Sequence, residues 1–117
     1  MLYLLVAPSF DYGRNYKIGM TGNLEERMRQ YACHNSSAKL LETAIAGSEE
    51  ARRLLEKMVH IEIQARGFEF LKADTADVTT EWFFVPMDRV QEFEQGGLSQ
   101  FKSLEGCIIQ KVVRLGV

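Results

Sequence analysis

The chain has 117 residues, the size of one ordinary domain, and its 46% hydrophobic and 26% charged residues match a globular protein with a single buried core. No stretch approaches the roughly 20 apolar residues that cross a bilayer, and the apolar opening MLYLLVAP is too short, and lacks the charged start, for a signal peptide. A net charge of −2 argues against a general nucleic-acid coat. Charge is nevertheless uneven: residues 1–66 carry nine Lys/Arg against eight Asp/Glu, and residues 67–117 carry five against eight. A local positive groove is therefore expected in the first part of the chain. Cys33 and Cys107 form no close-spaced pair and read as free thiols in a reducing compartment, so a cytoplasmic protein without a membrane segment is expected.

In chain order, residues 2–7 form an apolar run broken by Pro8 and Ser9, and residues 15–21 form a second strand. Asp11, Gly13 and Asn15 supply the turn chemistry of an antiparallel hairpin between them. Asn23 caps a helix that ends near Cys33, with Glu25 and Glu26 in its first turn, where the helix dipole favours acids. Its buried stripe reads as Leu24, Met28, Tyr31 and Ala32, with Arg27 at the edge. Residues 38–46 fit a third strand. Ser48 caps the longest helix, which Gly67 stops after Arg66. The core face of that helix reads as Ala51, Leu54, Leu55, Met58, Ile61 and Ala65, while Arg52, Glu56 and His60 recur at four-residue steps on another face. Residues 74–80 are a polar loop, 81–86 a strand stopped by Pro86, and 87–95 a helix stopped by Gly96 and Gly97. In the tail, SQFKSLEG has helical character and residues 107–115 have strand propensity. There is no internal repeat, linker or low-complexity segment.

The segment YKIGMTGNLEERMRQY (16–31) joins a strand ending at Gly19 to a capped helix, a geometry whose backbone N–H groups can hold an anion. Taken with Tyr3 in the first strand, Lys17-Ile18-Gly19 in the second, Thr21, Asn23, Leu24 and Arg27, then Glu56 and the late Glu81-Trp82-Phe83, it resembles the GIY-YIG nuclease superfamily. The likeness is to its phage-borne branch with KIG-x-T and EWF motifs, and it covers about residues 2–90. It implies an α/β fold of the α+β type, a small central antiparallel sheet of three or more strands flanked by helices. Residues 1–117 then form a single nuclease-like domain, with 91–117 as a C-terminal extension.

The resemblance also implies metal-dependent hydrolysis of phosphodiester bonds by an endonuclease. Tyr3 would activate or position the attacking water. Lys17 stands where the second motif half usually has tyrosine, and its charge would favour ionisation of Tyr3 or of the water. The planar fork of Arg27 suits the equatorial oxygens of a pentacovalent phosphorus. Glu56 would hold one divalent cation, Mg or Mn, with waters completing the shell. Gly19, Thr21, Asn23 and Tyr16 are the substrate-binding candidates, although a regular strand turns Tyr16 to the opposite face from Lys17. His60 and Glu81 are support residues. The chain departs from the superfamily pattern at Met1-Leu2, where Gly-Ile is usual, at Lys17, and at Tyr31, where many members have histidine.

Read without the resemblance, Tyr3 is an ordinary core tyrosine, Arg27 a solvated arginine, and Glu56 a partner for Arg52 and His60 on an exposed helix face. Cys33, His34, His60 and Cys107 make no recognised zinc spacing. The expected partner is nucleic acid, with DNA the leading form, and targeting is left to the protein's own loops, a homodimer or a partner protein. The alternative function is a non-catalytic nucleic-acid-binding or interaction module that keeps the fold.

Overall fold

The computed structural model describes residues 2–34, 37–45, 49–71, 82–102 and 113–114, with the backbone alone described at Ala32, His34, 49–56 and 113–114. Strands β1 (Leu2–Pro8) and β2 (Gly13–Met20) pair antiparallel as the expected hairpin. Helix α1 (Leu24–His34) follows, then β3 (Lys39–Ala44), α2 (Glu49–Ala65) and the short β4 (Glu69–Phe70). Next come β5 (Phe83–Pro86), α3 (Met87–Gly96), a 3-10 turn (Gly97–Gln100) and the short β6 (Val113–Arg114). The sheet runs β4-β5-β2-β1-β3-β6 with every pairing antiparallel, so the α+β class expected from the sequence is the observed one. The sequence reading contained no β4, because a two-residue strand leaves no alternation to detect. Ser48, the polar loop 74–80, Glu81 and Cys107 lie outside the described residues.

Side chains alternate along each strand, so the β1–β2 register sorts them into two sets. Leu2, Leu4 and Val6 oppose Met20, Ile18 and Tyr16 on the core face. There they meet Val59 and Ile63 of α2, Val90 and Phe93 of α3, and Leu98 and Phe101 beyond it. Phe83 of β5 stands beside Tyr16 in the ladder, and its ring contacts those of Phe68 and Phe93. Tyr3, Leu5 and Ala7 oppose Gly19, Lys17 and Asn15 on the other face.

The end of α2 corrects one expectation. Met58, Ile61 and Ala65, assigned to the core stripe, are exposed, while Val59 and Ile63 are fully buried. Ala51, Leu54 and Leu55 have no described side chains. Two apolar lines run along this helix, and the C-terminal cap decides between them. Gly67 takes φ +83° and its N–H donates to the Gln64 carbonyl, while the Phe68 N–H reaches back to the Ile63 carbonyl. This is a Schellman closure, which brings Ile63 against Phe68 and so rotates the Val59–Ile63 line onto the sheet.

Beyond α3, the buried carboxylate of Glu42, opposite Leu4 in the β1–β3 ladder, accepts the Leu98 N–H at 2.9 Å. Gly97, at φ +54°, lets the chain pass this carboxylate, which a Cβ would overlap. The corrected face of α2 yields a paired test: Ile63→Ala should cost about 2–5 kcal/mol and Ile61→Ala less than about 0.5 kcal/mol in urea unfolding. Equal losses would mean the helix is rotated otherwise.

Candidate functional site

Tyr3 and Lys17 are both buried, exposed by only 2% and 3%, on the face opposite the hydrophobic core. Tyr3 fits there because its cross-strand partner is Gly19: any Cβ on Gly19 would fall on the Tyr3 ring and hydroxyl. Helix α1 closes over this face and supplies Tyr31. The Tyr31 hydroxyl lies 3.1 Å from the Tyr3 hydroxyl, and its ring sits beneath the Lys17 ammonium, with Nζ 5.3 Å from the ring centroid. A cation over the negative face of an aromatic ring recovers part of the hydration lost on burial. Trp82, just before β5, meets Tyr31 edge-on with centroids 6.3 Å apart. Asn15, two residues from Lys17 on the same face, buries an Oδ1 that accepts no hydrogen bond among the described residues.

The start of α1 is fixed by short polar side chains. The Asn23 Oδ1 accepts the Glu26 N–H at 3.1 Å, its carbonyl accepts the Arg27 N–H, and the Thr21 hydroxyl bonds both the N–H and the carbonyl of Asn23. Thr21 and Asn23, expected to bind substrate, thus shape the turn and cap that aim the helix. Arg27 is half-buried one helical turn before Tyr31, which places it on the same side of α1, and it makes no side-chain hydrogen bond or ion pair among the described residues.

The structure therefore brings together Tyr3, Lys17 and Gly19, with Arg27 on the covering helix. Two other candidates are placed differently. Tyr16 is fully buried on the core face, where its hydroxyl donates to Glu94 Oε1 at 2.6 Å. That same oxygen accepts from Arg14 Nη1 at 2.6 Å. Burial first, then the hydrogen bond and charge of Glu94, push the Tyr16 hydroxyl far above the ordinary tyrosine value. His60 packs edge-on against Phe70 of β4, with centroids 5.1 Å apart, and β4 is two strands away from β2 in the sheet. Glu56 is on α2, but its side chain, like the whole of Glu81, is outside the described residues.

Sequence reasoning missed Tyr31 as a member of this cluster. Helical spacing assigned it to the buried stripe, whereas it is half-buried and its hydroxyl meets Tyr3. The available signal was its position four residues beyond Arg27, on the same helix face.

Chemically, the cluster offers two phenols in one hydrogen bond and a primary amine, with an arginine one helical turn before Tyr31, a set that suits an anionic oxygen. It does not by itself suit a hard cation such as Mg2+, which takes carboxylate, carbonyl or water oxygens. Among the described residues, no three His, Cys, Asp or Glu side chains gather around one point.

Residues 1–95 match the T5orf172 domain, which is phage-associated. The chain belongs to that family. No curated protein and no solved structure matches it. The match runs from β1 to the last turn of α3, so the whole Tyr3–Lys17–Tyr31–Trp82 cluster lies within the T5orf172 domain. No helix among the described residues is long and apolar enough to cross a membrane.

Two measurements check this geometry. Gly19→Ala should displace the Tyr3 ring and cost about 1–3 kcal/mol in urea unfolding, and an unchanged midpoint would show that the ring is not seated on Gly19. Tyr16 sets the alkaline limit. Below the ordinary value of 10.0, folded and unfolded chains both keep its proton and the full stability is present. Above it the unfolded chain releases a proton that folded Tyr16 retains, so stability falls as pH rises. Tyr16→Phe should flatten that alkaline decline, and a decline as steep as in the native chain would assign it to other groups.

Proposed function

We propose that this T5orf172 domain is a divalent-metal-dependent endonuclease that hydrolyses phosphodiester bonds in DNA, with Tyr3, Lys17, Arg27 and Glu56 as its reacting set. The observation that supports this most is the meeting of Tyr3 and Lys17 at the Tyr31 ring, under the helix that carries Arg27. The resemblance to the GIY-YIG superfamily singled out Tyr3, Lys17 and Arg27 on motif position alone. Their arrangement on one face agrees with it.

In this reading Tyr3, its proton lost to solvent under the influence of the Lys17 charge, orients the attacking water and accepts its proton to return to the neutral phenol, while the Tyr31 hydroxyl donates a hydrogen bond to the phenolate. Lys17 and Arg27 place positive charge against the non-bridging oxygens as negative charge accumulates on them. Mg2+ or Mn2+ held by Glu56 and waters would supply charge stabilisation at the leaving oxygen. Targeting rests with the protein's own loops, a homodimer or a partner protein.

One observation favours a second reading, a non-catalytic nucleic-acid-binding module. Tyr3 and Lys17 are almost fully withdrawn from solvent, so a phosphodiester reaches them only if the residues covering them move.

Supercoiled-plasmid nicking distinguishes the two. The nuclease reading expects nicking with Mg2+ or Mn2+, none with EDTA, and a loss of about 10²-fold or more in Arg27→Ala and Glu56→Ala. Undiminished cleavage by both purified variants would overturn it. Retained DNA binding without cleavage by the native chain would select the binding module.

A further inference from the structure

The two most exposed large apolar side chains among the described residues lie two positions apart in the β1–β2 turn. Phe10 is 113% exposed and Tyr12 is 83% exposed. Aromatic rings of this size are normally drawn into a core or an interface, because each leaves a large apolar surface in water. The turn that carries them is tied at both ends. The Ser9 hydroxyl accepts the Asp11 N–H at 3.3 Å, and the Tyr12 carbonyl accepts the N–H of Met87 at the start of α3 at 3.0 Å. The rings are thus held out from an ordered turn, which lowers the entropy lost when something stacks on them.

We infer that this hairpin tip is a stacking surface for unpaired bases of a nucleic acid, and this rests on the nucleic-acid reading above. Two arguments choose that occupant. The first is position. Tyr12 stands one residue before β2 and five before Lys17, about 17 Å at ~3.4 Å per residue, or about five base steps of a single strand. A strand held at the tip can therefore span the distance to the level of Lys17 on the same hairpin. The second is charge. A chain with a net charge of −2 gains little from neutralising phosphates, and base stacking is a source of affinity that does not depend on phosphate charge. Lys39 and Arg14 flank the tip end of the sheet, opposite Val6 and Pro8, while Asp11 lies between Phe10 and Tyr12 in the sequence. Stacking therefore carries the contact and charge plays a minor part.

The test is fluorescence-anisotropy titration of labelled single-stranded and duplex oligonucleotides across a salt series. It compares the native chain, the double variant Phe10→Ala/Tyr12→Ala, Phe10→Trp and Arg27→Ala. Both positions are exposed, and circular dichroism checks that the variants fold. The double variant should lose about tenfold or more in affinity for single strands with an unchanged salt slope, while Phe10→Trp binds at least as tightly as the native chain. Arg27→Ala should instead make the salt slope shallower. Native affinity in the double variant overturns the inference and leaves the proposed function standing. So does a double variant whose only change is lost self-association in gel filtration, since that assigns the tip to a protein contact. A native chain that binds no oligonucleotide at any salt overturns the proposed function, and the inference with it.

Discussion

The antiparallel register of β1 and β2 separates two environments that the rest of the molecule elaborates. Leu4 opposite Ile18 and Val6 opposite Tyr16 face the aromatic core, while Tyr3 opposite Gly19 and Leu5 opposite Lys17 face α1. A slip of one residue in either strand would exchange its two sets, driving charge into the core or apolar rings out of it. Three contacts oppose that slip. Gly19 alone leaves room for the Tyr3 ring, the Tyr16 hydroxyl bonds Glu94 of α3, and Met87 at the head of α3 bonds the Tyr12 carbonyl in the turn. Stability and candidate chemistry thus share one hairpin on opposite sides of its pleat.

Burying Lys17 runs against the ordinary distribution of charge, since an ammonium group is rarely withdrawn from water without compensation. A fold selected for stability alone would place an aliphatic residue opposite Leu5. The aromatic floor of Tyr31, itself braced by Trp82 and linked to Tyr3, is what the structure shows beneath that charge. A buried cation against a phenol pair is a set that suits an anionic oxygen.

Helix α1 joins the two halves of the candidate site. Its first turn is held by Thr21 and Asn23 directly after β2, so the direction of the helix follows from the end of the strand that carries Lys17 and Gly19. Tyr31 is then delivered to Tyr3 and Lys17, with Arg27 one turn before it on the same side of the helix. Membership of the T5orf172 family covers this entire unit, and the short β6, which adds to the β3 edge, falls outside it.

By itself the sequence determined the local events. The hairpin, the Asn23 cap, the Gly67 stop, the Pro86 and Gly97 boundaries of α3 and the opposed faces of Tyr16 and Lys17 all follow from period, capping chemistry and turn residues acting over a few positions. Tertiary structure decided what local pattern leaves degenerate. Met58–Ile61 and Val59–Ile63 both satisfy helical spacing, and only the closure of Ile63 on Phe68 selects the second line. Tyr31 satisfies a core stripe as well as a site position, and only the proximity of Tyr3, far away along the chain, assigns it. Periodicity records how often a side chain returns to one side of its element, but it does not record what stands on that side, which depends on contacts between residues remote in sequence.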